Sequence, residues 1–221
     1  MKPTLTPRVK ICCIASVEEA SLAVEAGASA LGFVSHMPSG PGVIADELIA
    51  EIAATVPPAI GTFLLTSRQS VNEIVAQQGF CRTNTIQVCD HLAPEAHREL
   101  KRALPGISIV QVVHVTGPES VAEAVAVAPH VDAILLDSGN RKRAVKELGG
   151  TGRTHDWKLS RAIRERVSVP LFLAGGLTSE NVPQAIGEVG PFALDVCSGV
   201  RTEGKLDAEK LKRFFAALRA A

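Results

Sequence analysis

The stretch VSVPLFLAGGLTSENVPQAIGEVGPFALDVCSGV, residues 167–200, contains a complete strand–helix–strand unit. Its apolar runs at 169–175 and 192–199 predict two strands, and the amphipathic segment 179–188 predicts a helix between them. The core of the first run, LFLAG, is apolar without interruption, as is typical of a strand buried on both faces. When two such strands are connected by a helix, the strands pair in parallel and the crossover between them is right-handed. The stretch therefore predicts a parallel α/β fold.

The same alternation extends over the whole chain of 221 residues. Further apolar runs predict strands at 9–14, 30–34, 59–65, 85–89, 107–115 and 132–137. The other helices are predicted at 17–26, 46–55, 69–78, 94–103, 118–128, 156–166 and 207–219. Eight consecutive units favour a closed (β/α)8 barrel, the TIM-barrel fold, and an open doubly wound sheet is the alternative. We expect one domain over 1–221, because no linker or low-complexity tract divides the chain.

Capping residues precede three of the predicted helices. Ser16 is followed three residues later by Glu19, the spacing of a capping box, and Ser179 and Asp207 stand before similar runs. We expect each of these side chains to accept a hydrogen bond from the first turn of its helix.

Composition excludes several classes of function. The 23 basic and 23 acidic residues balance, and aromatic residues make up only 4% of the chain, which argues against a nucleic-acid partner. The start, MKPTLTPRVK, lacks the apolar core of a signal peptide, and no apolar run approaches the ~20 residues of a membrane span. The five cysteines form no CxxC pair, so we expect reduced thiols and no metal site. We expect a cytoplasmic protein with a small-molecule partner.

The carboxyl ends of the predicted strands indicate where the chemistry lies, because barrel enzymes build their active sites there. Cys12 ends the first strand and Asp137 ends the sixth, so a thiol and a carboxyl face each other as candidate general base and acid. Gly175-Gly176 and Ser198-Gly199 follow the last two strands, where backbone amides commonly bind phosphate. The irregular stretch 138–154 has the position of an active-site loop, and its segment Gly149–Thr154 is expected to fold over a phosphorylated substrate.

With these residues in place, the sequence resembles the phosphoribosylanthranilate isomerase family over nearly its whole length. The family's K-I-C-G is matched by Lys10–Cys13, its A-L-G-F by Ala30–Phe33 and its L-L-D-S by Leu135–Ser138. Four more family motifs follow in order, namely G-G-T-G-x-T-x-D-W at 149–157, A-G-G-L at 174–177, E-N-V at 180–182 and D-V-x-S-G-V at 195–200.

The resemblance implies an isomerase of tryptophan biosynthesis that performs an Amadori rearrangement without a cofactor. It implies that Asp137 protonates the furanose ring oxygen and that Cys12, as thiolate, removes the proton from C2 of the sugar. It also implies substrate and phosphate binding by Lys10, Gly152, Gly175, Gly176, Ser198 and Gly199. Members of the family occur as monomers and as dimers, so a monomer or a homodimer is expected.

Three departures from the family pattern concern one side of the site. Cys13 stands where the family has glycine, and the family's S-P-R after strand 2 is replaced by Ser39–Val43, with no Arg or Lys between Lys10 and Arg68. The family's Q-L-H-G after strand 4 reads Gln87-Val88-Cys89-Asp90. Because that Arg pairs with the anthranilate carboxylate in the family, an isomerase or binding protein for another phosphorylated sugar amine is the alternative.

The remaining polar candidates have structural interpretations. A regular strand would turn Cys13 away from the site and against a helix. Asp195 is expected to hydrogen-bond inside the barrel, and Cys89 is expected to belong to the core. The three histidines near strand ends are expected to be ordinary loop or hydrogen-bonded residues, with lining of the barrel mouth as the alternative; they are His36, His91 and His114.

Overall fold

The structure is a computed structural model that describes residues 6–221. Eight parallel strands close into a barrel in sequence order, with β1 paired to β8 as well as to β2. They are β1 Arg8–Ile11, β2 Ala30–Val34, β3 Gly61–Thr66, β4 Thr85–Val88, β5 Ser108–His114, β6 Ala133–Asp137, β7 Leu171–Leu173 and β8 Ala193–Val196. The predicted (β/α)8 barrel is confirmed, and the open-sheet alternative is wrong.

Each strand is followed by a helix. The helices are α1 Val17–Ala26, α2 Asp46–Thr55, α3 Val71–Cys81, α4 Pro94–Ala103, α5 Glu119–Val127, α6 Trp157–Arg166, α7 Val182–Val189 and α8 Ala208–Ala220. Short 3-10 turns lie at Ala128–His130 and Ser198–Val200, and a two-stranded hairpin, β9 Arg201–Thr202 with β10 Lys205–Leu206, precedes α8. None of the helices within 6–221 combines the length and the apolar character that a bilayer crossing requires.

Two of the three predicted caps are present. The Ser16 hydroxyl accepts a hydrogen bond from the Glu19 amide at 3.2 Å, and the Asp207 carboxylate accepts from the amides of Glu209 and Lys210 at 3.0 Å each. The prediction for Ser179 is wrong, because α7 begins at Val182. The residues before α7 form a turn in which the Asn181 side chain accepts from the Thr178 amide.

The core has two layers. Outward-facing strand residues pack against the helices, and inward-facing residues fill the barrel. Along β3 and β7 the inward side chains include Phe63 and Phe172, whose ring centroids are 5.7 Å apart. Because inward positions recur every second residue, Lys10 and Cys12 share the inward phase with Leu135 and Asp137. The barrel thus directs both predicted catalytic side chains toward its axis.

Two loops meet over the carboxyl end of the barrel. The loop after β6, residues 138–156, contacts the loop after β2 through the Ser39 hydroxyl, which donates to the Lys146 carbonyl at 2.7 Å. Gly150 packs so closely against Pro41 that a Cβ at Gly150 would lie 2.5 Å from the Pro41 ring. The long loop therefore covers the barrel mouth, where it was expected.

Candidate active site

A pocket opens at the carboxyl end of the barrel beneath these loops. It has about 670 Å³ of empty space, part of it open to solvent, and Cys12 and Asp137 both line it. Cys12 directly follows β1 and extends its ladder, because its amide donates to the Val196 carbonyl at 2.8 Å. Asp137 ends β6, which lies two strands beyond β8 in the barrel order. The thiol and the carboxyl therefore enter the pocket from different parts of the barrel wall.

Asp137 is a buried carboxyl with few compensating partners. Burial is the largest effect on it and raises its pKa to about 6, although the Ser138 amide donates a hydrogen bond to Oδ1 at 2.7 Å. The Ser138 hydroxyl is bonded in turn to the Thr151 hydroxyl at 2.6 Å, which ties the start of the long loop to its glycine-rich end. A carboxyl with this pKa retains a protonated fraction near neutral pH, as a general acid requires.

Lys10 lies below the pocket, fully enclosed, with its Nζ 2.7 Å from Asp195 Oδ1 and 5.3 Å from the Phe63 ring centre. Burial opposes its charge, but the attraction and hydrogen bond of Asp195 and the attraction of Cys12 outweigh burial and raise the pKa of Lys10. Gly32 makes this packing feasible, since a Cβ there would lie 3.0 Å from Lys10 Nζ and 3.1 Å from Cys12 Sγ. The expected internal hydrogen bond of Asp195 is present.

The other end of the pocket is lined by backbone. Gly152, Gly175, Gly176 and Ser198 all line it. The three glycines have φ values of 67°, 84° and 59°, a region that favours glycine. A Cβ on Gly176 would lie 2.8 Å from the Thr154 amide nitrogen, so the loops after β6 and β7 are packed backbone to backbone. We call Gly152, Gly175, Gly176 and Ser198 the glycine wall. Because glycine has no side chain, such a wall lets an anion approach the backbone amides closely.

The model of the N-(5'-phosphoribosyl)anthranilate (PRA) isomerase family matches residues 9–217 of this chain. The chain belongs to that family. A curated relative from Methanothrix thermoacetophila, named N-(5'-phosphoribosyl)anthranilate isomerase, is 36% identical over 96% of this chain and 98% of its own length. The prediction of an enzyme of the isomerase class is thereby confirmed.

Two solved structures of the phosphoribosylanthranilate isomerase family superpose on the barrel. The first shows monomers of the dimeric enzyme from Thermotoga maritima, with 29% identity, a TM-score of 0.80 and coverage of 97% of this chain and 100% of that one. The second is a complex with reduced 1-(o-carboxyphenylamino)-1-deoxyribulose 5-phosphate, with 30% identity, the same TM-score and the same coverage. Both likenesses extend over nearly the whole length of this chain.

Not every predicted site residue of this family member reaches the pocket. Six line it, namely Cys12, Asp137, Gly152, Gly175, Gly176 and Ser198. Lys10 and Gly199 do not. Lys10 is held by Asp195 beneath the pocket, and Gly199 packs against the backbone of Leu177 and Thr178, where a side chain would not fit. Their positions indicate that Lys10 supports Cys12, which lies above it, and that Gly199 supports Ser198, which precedes it.

The structure also adds Cys13 to the site, although strand alternation predicts that its side chain points away from it. Cys13 lines the pocket and does not pack against a helix as expected. Its φ of 62° breaks the strand alternation directly after Cys12, so its side chain turns back toward the mouth. The family glycine at this position was the signal, because glycine commonly occupies left-handed backbone positions. Cys13 Sγ lies 2.8 Å from Cys197 Sγ, and Cys197 also lines the pocket.

The pocket end opposite the glycine wall is apolar. Val34, Met37, Leu65 and Leu148 line it, together with Cys89, which is 1% exposed and packs in the barrel interior as expected. Gln87 is also there, and its Oε1 is buried with no hydrogen-bond partner among the described residues. Within residues 6–221, no Lys, Arg or His side chain lines this pocket.

The three candidate histidines keep their structural interpretation. His36 and His91 are exposed, and His114 is buried with Nε2 3.2 Å from the Cys89 carbonyl oxygen. Burial lowers the pKa of His114 to about 4, so it is neutral at physiological pH. None of the three lines the pocket.

Proposed function

We propose that this chain catalyses the isomerisation of N-(5'-phosphoribosyl)anthranilate in tryptophan biosynthesis. The main support for the proposal is that Cys12 and Asp137 line the same pocket, together with a glycine wall that is suited to phosphate. The raised pKa of Asp137, about 6, leaves about one tenth of the carboxyl protonated at pH 7. A protonatable carboxyl, a thiol and a glycine wall that line one pocket support this proposal.

The reaction begins at the furanose ring. Asp137 donates its proton to the ring oxygen, the bond from that oxygen to C1 breaks, and the anilino nitrogen forms a Schiff base with C1. The Cys12 thiolate then removes the proton from C2, and the electron pair moves into a C1–C2 double bond. The resulting enolamine takes up a proton at C1 and loses the hydroxyl proton at C2, which gives the ketone. Atoms and electrons balance without a co-reactant.

Lys10 supports the base in this scheme. Its ammonium lies next to Cys12, and the attraction between the two groups contributes to the raised pKa of Lys10. Lys10 therefore places a positive charge beside the proposed base. The phosphate of the substrate binds the amides around Gly152, Gly175 and Gly176, with the Ser198 hydroxyl as a further donor.

The absence of a basic side chain among the described pocket residues favours a second candidate, an isomerase for a phosphorylated sugar amine without a carboxylate. The loop over the apolar end carries Lys146, whose ammonium is paired with Asp90. Partners at this end for the anthranilate carboxylate include loop amides, the Gln87 side chain and Lys146, for which the carboxylate would compete with Asp90. The second candidate needs no such partner.

Loss of the fluorescence of freshly generated phosphoribosylanthranilate tests the proposal. Turnover by catalytic amounts of the purified chain is expected. The matched substrate is N-(5-phosphoribosyl)aniline, which lacks only the carboxylate. A kcat/KM at least ten times higher for the aniline compound would favour the second candidate. If the carboxylate binds Lys146, Lys146→Met should raise the KM for the anthranilate compound and leave the KM for the aniline compound unchanged.

A further inference from the structure

Two thiols in the pocket wall have no part in the proposed reaction and contact each other. Cys13 and Cys197 are both free, and their sulfur atoms are 2.8 Å apart. That separation lies within about 1 Å of the sulfur–sulfur bond length of a disulfide, about 2.05 Å. Both residues line the pocket, so a small oxidant that enters it meets both sulfur atoms.

The backbone holds the two residues in this position. Ile11 of β1 faces Val196 of β8 in the parallel register, and Cys13 and Cys197 follow within two residues of that pair. The Arg201 guanidinium donates to the carbonyls of Cys12 and Cys13 and is paired with Glu19 at 2.9 Å. The left-handed turn at Cys13 is therefore clamped with its thiol toward Cys197, and a bond between the sulfur atoms requires little movement.

We propose that Cys13 and Cys197 form a redox modification site that closes reversibly to a disulfide and thereby lowers turnover. With hydrogen peroxide as oxidant, the Cys197 thiolate attacks one peroxide oxygen, releases water after proton uptake and becomes a sulfenic acid. The Cys13 sulfur then attacks the Cys197 sulfur and displaces a second water. The two thiols lose two protons and two electrons in all, and one peroxide becomes two waters. A dithiol such as dithiothreitol reverses the bond by exchange.

The local environment makes Cys197 the attacking thiol. The hydrogen bond between Cys197 and Cys13 is the largest effect on Cys197 and, with the attraction of Arg201, lowers the pKa of Cys197 despite burial. Hydrogen bonds to Cys12 and Cys197, together with burial, raise the pKa of Cys13. Cys197 is also the more exposed of the two. A thiolate with a neighbouring resolving thiol is the arrangement that oxidises selectively.

The bond would affect both the proposed base and the glycine wall. Cys13 directly follows Cys12, and Cys197 directly precedes Ser198 of the glycine wall. Oxidation removes the thiol hydrogen of Cys13, which lies beside Cys12. It also restrains Cys197 and therefore the start of the turn that contains Ser198. The expected loss of turnover rests on the proposed function, whereas formation of the disulfide does not.

Peptide mapping of the full chain under non-reducing conditions, with free-thiol titration, tests the site. After treatment of the reduced protein with hydrogen peroxide at a one-to-one ratio, we expect two of the five thiols to disappear. One cross-linked peptide pair should join Cys13 to Cys197, and dithiothreitol should restore all thiols. Cys197→Ser and Cys13→Gly should each abolish the cross-link. Cys81→Ser, a change at a buried thiol on α3, is the matched control and should retain it.

Retention of all five thiols, or a first cross-link that involves Cys12, Cys81 or Cys89, would overturn the proposal. Turnover of phosphoribosylanthranilate should fall at least tenfold in step with the cross-link and return with dithiothreitol. Equal turnover by the cross-linked and reduced proteins would overturn the inhibitory effect. If the reduced protein itself lacks turnover, the proposed function fails, while the mapping still decides whether the disulfide forms.

Discussion

Lys10 Nζ lies 2.7 Å from Asp195 Oδ1 inside the barrel, with Lys10 fully enclosed and the Asp195 side chain 7% exposed. Removal of one partner leaves the other charge buried and unpaired, which typically costs 3–5 kcal/mol. We expect Lys10→Met to lower the free energy of unfolding by about that amount. The double variant Lys10→Met with Asp195→Asn should recover at least half of the loss. Urea unfolding followed by circular dichroism measures both values, and additive losses in the double variant would contradict the pairing.

Asp137 should make stability depend on pH. Its pKa is about 6 in the folded chain against an ordinary 3.8, so the folded state binds the proton more tightly. The stability that this proton contributes is present below pH 3.8 and is lost as pH rises to 6. Asp137→Asn removes that dependence. Relative to the unmodified chain it should gain roughly 2.5 kcal/mol between pH 4 and pH 8, since each pKa unit corresponds to about 1.4 kcal/mol.

Unfolding at a series of pH values measures this difference directly. The pH-dependent gain of Asp137→Asn should level off above pH 6. A difference between the two proteins that is constant from pH 4 to pH 8 would show that burial does not raise this pKa. The experiment needs no substrate, so it tests the environment of Asp137 separately from its proposed role.

Gly176 should be essential to the glycine wall. Its φ is 59°, and a Cβ would lie 2.8 Å from the Thr154 amide nitrogen, so Gly176→Ala forces two loop backbones apart. We expect the KM for the phosphorylated substrate to rise at least tenfold and the stability to fall by about 1–2 kcal/mol. Gly187→Ala on α7 is the control, because nothing lies within 4 Å of that position. It should stabilise the chain by about 0.5–1 kcal/mol. An unchanged KM in Gly176→Ala would contradict the proposed phosphate site.

Cys13 should tolerate glycine better than alanine. At an ordinary strand position glycine is the less stable of the two by about 0.5–1 kcal/mol. At a φ of 62° the order should reverse, because a left-handed backbone costs a residue with a Cβ about 1–2 kcal/mol. Thermal and urea unfolding of Cys13→Gly and Cys13→Ala measure the difference. Greater stability of Cys13→Ala would show that the turn after Cys12 is not held in this conformation.

Much of the fold could be predicted from sequence because local signals agree with it. The predicted bounds of α1, α2 and α4 match those observed, since apolar periodicity and flanking breaks are local properties. The start of α7 was wrong by three residues, because Ser179 is a cap by type but the Asn181 side chain organises the turn. Ser179 and Asn181 are both residue types that cap helices. Which of them forms the hydrogen bonds before α7 depends on the backbone geometry of the turn, which cannot be read from the sequence.

The site was predicted less completely, and for a physical reason. Alternation along β1 assigned Cys12 to the interior correctly and then assigned Cys13 to the wrong face, because a single left-handed residue reverses the direction of the side chain. The contact between Cys13 and Cys197 joins residues 184 positions apart, and the contact between Ser39 and Lys146 spans 107. Such contacts follow from barrel closure and loop packing. Strand-end residues such as Asp137 could be predicted because the fold alone determines where they point.

In the proposed mechanism Cys12 and Asp137 act as base and acid on one substrate in this pocket. The most direct measurement is the rate of phosphoribosylanthranilate consumption by the unmodified chain, Cys12→Ala and Asp137→Asn, each shown by circular dichroism to be folded. We predict turnover by the unmodified chain and losses of about 10²–10⁴-fold in kcat for each variant, the usual contribution of a general acid or base. Turnover within threefold of the unmodified rate in either folded variant would contradict the account.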